Sequence, residues 1–206
     1  MKFLLFVEGD TEHRVIGPVL KRWLDSQLNH AVGVQPVRFK GWADFDREVE
    51  KKARMHLNGP KQDQIIAVIG LLDLYGPDFY PGDRANAQER RTWAIKHFEE
   101  RIDDQRFRMF FAVHELEAWL LADPHCLPTE IRRRLGGRPP EDVNFGEPPA
   151  KLLDRLYNHH LKRGYRKMVD GTNRFRALDI DRAYDACPAL RAMLDAMLEL
   201  AQPANA

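Results

Sequence analysis

The stretch from Gln64 to Leu72 constrains this chain more than any other feature. It contains the run Ile65-Ile66-Ala67-Val68-Ile69-Gly70-Leu71-Leu72 and is ended abruptly by Asp73. A run of this length, rich in β-branched residues and without polar alternation, fits a strand buried on both faces. Strands of that kind belong to parallel sheets covered by helices on each side. Residues 2–7 (Lys-Phe-Leu-Leu-Phe-Val) give the same signal nearer the start and are broken by Gly9 and Asp10.

Helical periodicity follows the first strand. Val15, Ile16, Val19, Leu20, Trp23, Leu24 and Leu28 recur at helical spacing, with Asp10 or Thr11 as the expected cap. Residues 32–39 read as a second strand. Residues 43–57 read as a second helix, with Phe45, Val49, Ala53 and Leu57 on one face. Beyond Asp73 the segment from Tyr75 to Gly82 is rich in turn formers, which predicts a long ordered loop. A polar helix over 86–104, a strand over 107–113 and a short helix from Glu115 to Leu121 complete the alternation. Alternating strands and helices predict βαβ units and an α/β fold with a parallel sheet of about four strands flanked by helices. After residue 123 only helical patterns and loops remain: 128–135, 147–161 and Pro188 to Leu200. Pro188 suits a first helical turn, and the tail after 201 is expected to fray. The expected organisation is an α/β domain over 1–123 and a helical C-terminal extension over 124–206 packed on it.

Composition narrows the function classes. The 206 residues are 44% hydrophobic and 31% charged with a net charge of +1, so no global basic field marks a nucleic-acid binder. Cys126 and Cys187 are far apart and lack CxxC spacing, which supports neither a disulfide framework nor a zinc site. The apolar start is too short for a secretory signal, and no run approaches a membrane span, so a cytoplasmic location is expected. No P-loop, dinucleotide loop or Gly-x-Ser-x-Gly elbow occurs. His13 and His114 lie near acids, but nothing marks either as part of a nucleophilic triad.

Acidic residues stand at equivalent places in the pattern. Glu8 follows the first strand, Asp73 follows the central one, and Glu115 and Glu117 follow the strand over 107–113. In an open parallel sheet the carboxyl ends of strands share one edge, where ligands bind. Crowded carboxylates repel, and a divalent cation makes the crowd tolerable. Mg²⁺ takes oxygen ligands and joins one or two carboxylates to phosphate oxygens, which points to phosphoryl-transfer or phosphodiester chemistry. The competing reading is that each acid merely caps the helix after its strand.

These residues carry a family resemblance. Phe6-Val7-Glu8-Gly9-Asp10-Thr11-Glu12 resembles the first motif of TOPRIM domains, an apolar strand ending in Glu-Gly. Leu71-Leu72-Asp73-Leu74-Tyr75-Gly76 resembles the second motif, and His114-Glu115-Leu116-Glu117-Ala118-Trp119 the acidic third block. With Tyr165-Arg166-Lys167 and Cys187-Pro188, nearly the whole chain resembles the TOPRIM-like domain-of-unknown-function family 4276. The resemblance implies a TOPRIM-like (Rossmann-like) fold related to that of the overcoming-lysogenization-defect nucleases, with Mg²⁺ (or Mn²⁺) as cofactor. It makes Glu8 a metal ligand or general acid/base, Asp73 a metal ligand, and Glu12 the second acid of the Glu-Gly-x-x-Glu form. Glu117 completes the site, with Glu115 as the alternative. One departure stands out: the second acid of the Asp-x-Asp motif is Tyr75 here, and phenol, with a pKa of about 10, is a poor Mg²⁺ ligand. Asp78 or Asp83 would substitute, or one metal position is lost.

A basic stretch runs through Arg132-Arg133-Arg134, Lys151, Arg155, Lys162, Arg163, Arg166, Lys167, Arg174 and Arg176, interleaved with Tyr157, Tyr165 and Phe175. Side chains of these kinds contact phosphates and stack on bases. Lys167 and Arg174 are the expected phosphate contacts. The bland alternative is a solvated face whose arginines pair with local acids such as Asp154 and Asp170. His159-His160 lacks partners at metal spacing. The leading expectation is a Mg²⁺-dependent nuclease acting on nucleic acid, with Glu12 as proton acceptor. The rivals are a non-catalytic module that binds nucleic acid or a partner protein in a defence or repair complex, and a hydrolase of nucleotides or small phosphate esters.

Overall fold

A computed structural model of the protein describes residues 1–82, 86–137, 139–142 and 147–202. Asp83 and the tail beyond 202 lie outside the described residues. Four strands, β1 (Lys2–Val7), β2 (Gly33–Arg38), β3 (Ile65–Asp73) and β4 (Phe107–Ala112), form one parallel sheet in the order β2-β1-β3-β4. The chain thus moves from β1 outward to β2, then crosses back to the other side of β1 to lay down β3 and β4. The place where that direction reverses, between β1 and β3, is a topological switch point, where a crevice opens at the carboxyl ends of the strands. The register pairs Val7 with Leu71 and Asp73 with Ala112, so the acids after β1 and at the end of β3 stand at one edge.

The apolar runs are long because both faces of the sheet are covered. Successive residues of a strand point to opposite faces. Phe3, Leu5 and Val7 join Ala67, Ile69 and Leu71 in one core, and Leu4 and Phe6 join Val68 and Leu72 in the other. The second core is filled from α2 (Trp42–Leu57) and α3 (Ala87–Ile102) by Phe45, Val49, Ala53, Leu57, Ala94, Phe98 and Ile102. Gly70 faces this layer, and a Cβ there would stand 2.6 Å from Met109 Sδ and 3.3 Å from the Phe45 and Phe107 rings, so a side chain at this position would make Met109 move. Pro36 sits in β2, an edge strand, where a missing N–H is tolerated.

The first core holds α1 (Asp10–Gln27) and nearly all of the C-terminal half. That half comprises α4 (Glu117–Ala122), α5 (Thr129–Arg132), α6 (Pro149–Leu161), α7 (Thr172–Ala177), α8 (Ile180–Ala186) and α9 (Pro188–Ala201). Tyr157, Phe175, Leu190, Met193, Leu194 and Met197 are buried against the same layer as Phe3 and Leu5. The C-terminal helices therefore roof one face of the sheet. Among the described residues no helix is long and apolar enough to cross a membrane. Cys126 and Cys187 are free and buried, and burial pushes both thiols up to about 12.

Three local expectations need correction. Gly9, with an extended backbone, is the N-cap of α1, so Asp10 is already helical; the Thr11 hydroxyl instead donates to Met168 Sδ at 3.1 Å. The helix expected from Glu115 starts at Glu117, the Leu116 amide being taken by the Asp73 side chain at the end of β3. The helix expected over 128–135 shrinks to Thr129–Arg132. Between α6 and α7, where no element was expected, Lys167–Gly171 forms a π-helical turn.

Candidate active site at the sheet edge

Four carboxylates meet at the switch point. Glu8 follows β1 by one residue, and Asp73 is the last residue of β3. Beyond β4 the backbone continues zipping onto the end of β3: the Leu74 amide donates to the Ala112 carbonyl (3.0 Å) and the Tyr75 amide to the His114 carbonyl (2.8 Å). The Leu116 amide then donates to Asp73 Oδ1 at 3.0 Å. This extension delivers Glu117, in the first turn of α4, beside Asp73. Glu12 arrives from the first turn of α1, its Oε2 held so low over the backbone that a Cβ on Gly9 would lie 2.6 Å from it. The glycine of the Glu-Gly pair thus makes room for the second acid.

Lys167, at the head of the π-helical turn, reaches into the group. Its Nζ is 3.3 Å from Glu117 Oε2 and 4.0 Å from Asp73 Oδ2. The turn that carries it is anchored by Asp170, only 4% exposed. Arg163 donates to both Asp170 oxygens at 2.8 Å, and the Arg166 amide adds a third bond at 2.9 Å. These bonds lower the Asp170 carboxyl to about 2.

The charges do not balance. Burial raises the Asp73 carboxyl well above its ordinary value; Lys167 opposes this, and Glu117, Glu12 and Glu8 reinforce it. Burial and then Glu12 raise Glu8, against a hydrogen bond from the Trp42 amide and the pull of Lys167. Glu117 is raised by burial, with Lys167 opposing and Glu115 adding to it. Burial acts to lower Lys167, but Glu117, Asp73, Glu115 and Glu12 outweigh it, and the ammonium is held strongly. Carboxylates made reluctant to ionise beside an ammonium made reluctant to let go describe a pocket with surplus negative charge.

The other residues singled out from the sequence fall elsewhere. Glu115 is buried, and its Oε2 accepts from the Ala150 amide at 2.7 Å, so it caps the start of α6 while standing next to the cluster. Asp78 is exposed in the loop after β3. Arg174 lies away from the acids and donates to the Cys126 carbonyl at 3.1 Å. Tyr157 and Phe175 are fully buried, so their rings serve the core and not a stacking surface. Asp154 accepts from the Tyr165 amide and from Asn158 rather than from an arginine, whereas Asp170 takes Arg163 and Arg166 as a local pairing would. The sequence pattern did not reveal that Lys167 is the counter-ion of the acids, because the π-helical turn that aims it has no periodic signature.

The donor set suits a hard divalent cation. All four groups are carboxylates, and Glu117 Oε2 is buried without a well-directed hydrogen bond despite the nearby ammonium. Among the described residues, no group of three or more His, Cys, Asp or Glu side chains is placed so that it could hold a metal ion together. Mg²⁺ needs no such group, since it keeps waters and takes one or two carboxylates.

Comparison with known proteins places the chain. No curated protein matches it. Among solved structures it is similar to the C-terminal region of the Burkholderia pseudomallei OLD protein, at 19% identity and a TM-score of 0.46, covering 96% of each chain. It is also similar to the C-terminal region of the Xanthomonas campestris pv. campestris OLD protein, at 20% identity and a TM-score of 0.43, covering 96% of this chain and 94% of that one. A family pattern spans residues 7–198, from the end of β1 to α9, and takes in every acid of the cluster as well as Lys167. The chain belongs to the family described as Domain of unknown function (DUF4276).

Proposed function

We propose that this protein is a TOPRIM-type nuclease that hydrolyses phosphodiesters of nucleic acid with Mg²⁺ or Mn²⁺. The observation that carries the reading is the convergence of Glu8, Glu12, Asp73 and Glu117 with Lys167 at the switch point of the sheet. One or two of Glu8, Asp73 and Glu117 would hold the cation, its other positions being left to water and substrate, and when bound it polarises a phosphoryl oxygen and lowers the pKa of an attacking water. Glu12, tucked over Gly9, is placed to take the proton of that water at its carboxylate. Lys167 pairs with a non-bridging phosphate oxygen, a role its persistent charge suits. The lysine also answers the question of how the acids coexist before substrate arrives.

Calorimetric titration of Mn²⁺ into the wild type and Glu8→Ala, alongside Mg²⁺-dependent cleavage of single-stranded DNA and RNA, tests this. The expected result is metal binding and cleavage by the wild type and loss of both in the variant. A wild type that binds no metal and cleaves neither polymer would falsify the reading.

One observation favours a second reading, a non-catalytic module that binds nucleic acid or a partner protein. Lys167 already neutralises part of the cluster, and Tyr75 stands where a further acid would be expected. Nucleic-acid binding that survives Glu8→Ala, with no turnover in either protein, would select it.

A further inference from the structure

A cleft of about 370 Å³, lined by Tyr75, Gly76, Pro77 and Arg90, opens in the loop that leaves β3. It opens just past the strand end that carries Asp73. Tyr75 is two residues past Asp73, and its amide is pinned to the His114 carbonyl at 2.8 Å. The Tyr80 hydroxyl donates to the Leu74 carbonyl at 3.1 Å; burial raises its pKa, with Arg90 opposing and the Glu8 and Asp73 carboxylates adding to the rise. The Arg90 guanidinium stands 5.3 Å from the Tyr80 ring. On another side, Lys151 Nζ is 5.8 Å from the centre of the Tyr75 ring. Gly76 has φ of 113°, and no atom lies within 4 Å of where its Cβ would be, so the cleft has an open wall.

An acidic centre with basic, aromatic flanks matches a phosphodiester chain. The scissile phosphate goes to the cation and Lys167, and its neighbours need positive charge and a flat surface. Phenol is a poor metal ligand, but its ring stacks on any base. A guanidinium pairs with phosphate through two parallel hydrogen bonds. The cleft volume falls in the range of small-ligand sites, about 300–1,000 Å³.

We infer that the Tyr75–Arg90 cleft is the subsite for the nucleotide adjoining the scissile phosphate, with the Tyr75 ring stacking on its base and Arg90 pairing with its phosphate. The tyrosine thereby exchanges a metal-ligand position for a substrate wall. This inference rests on the nuclease reading.

Steady-state kinetics on a labelled single-stranded oligonucleotide, for wild type, Tyr75→Leu, Tyr75→Phe and Arg90→Gln, test it, with the fold of each variant checked by circular dichroism. Tyr75→Leu and Arg90→Gln are each expected to raise KM about tenfold while kcat changes less than about threefold. Tyr75→Phe, which keeps the ring, is expected to undo most of the rise in KM produced by Tyr75→Leu. Unchanged KM in both Tyr75→Leu and Arg90→Gln, in a wild type that cleaves, overturns the subsite and leaves the nuclease reading standing. Loss of kcat at unchanged KM in Tyr75→Leu also overturns it, since that is the mark of a residue acting at the metal. A wild type that cleaves no oligonucleotide removes both. If Tyr75→Leu does not fold, the KM of Arg90→Gln decides alone.

Discussion

Burial and like charge raise the Glu8 and Asp73 carboxyls, so the folded chain holds their protons more tightly than the unfolded chain does. The sign follows by linkage: stability grows as pH falls through the raised folded-state pKa values and shrinks as pH rises through them. The cluster therefore favours the fold less at neutral pH than at acid pH. Glu8→Gln should raise the thermal midpoint by about 2–4 °C while reducing metal-dependent turnover by at least about a hundredfold; differential scanning calorimetry and a cleavage assay check the two halves. Lys167→Met removes the counter-ion of Glu117 and Asp73 and should cost about 1–3 kcal/mol, the lower part of the range for breaking an ion pair because the lysine side chain is 39% exposed. Mn²⁺ should then stabilise this variant more than the wild type, as read from midpoints with and without metal. Gly9→Ala is expected to change the unfolding free energy by less than about 1 kcal/mol, since the clashing atom is the far end of the flexible Glu12 side chain. The same change should abolish most turnover, because it moves that carboxylate. Equal losses of stability and activity would instead make Glu12 a structural residue.

The strands and long helices were legible from residue pattern, for a physical reason. A strand covered on both faces must be apolar throughout, and a helix packed on one side must repeat its apolar residues near every third or fourth position. Boundaries moved only by a residue or two for β1 to β4 and for α1 to α3. The segment from Lys167 to Ala177 was not legible, because a π-helical turn leaves no apolar repeat, even though its anchor, Asp170 receiving Arg163 and Arg166, is local in sequence. That turn makes its own prediction. The folded-state carboxyl of Asp170 is depressed to about 2, so the stability it contributes is present above its unfolded value, near 4, and is lost as pH falls toward 2. Asp170→Asn should lower the neutral-pH midpoint and flatten the acid limb of the stability curve. It should also weaken turnover through a displaced Lys167. Thermal melts between pH 2 and 7 on both proteins would show a parallel acid limb if Asp170 were not the titrating group.

At the scale of the whole molecule, the sheet has two coats of different origin. One face is covered by α2 and α3 from the first half of the chain, the other by α1 together with helices drawn mainly from the second half. A fragment ending at residue 123 would lack Tyr157, Phe175, Leu190, Met193, Leu194 and Met197 and would bare the face formed by Phe3, Leu5 and Ile69. Such a fragment should bind a hydrophobic dye and show no cooperative melt, whereas a cooperative melt would make the first 123 residues self-sufficient. The sequence by itself determined the α/β class, the four strands and the presence of acids at the carboxyl ends of three of them, because burial on both faces leaves an apolar run at a strand and a break where it ends. Only the tertiary structure decided that Glu12 folds over Gly9, that Glu115 turns aside to α6, and that Lys167 stands among the carboxylates. The first depends on how the turn into α1 closes, and the other two on groups meeting across long sequence separations, which no local pattern encodes.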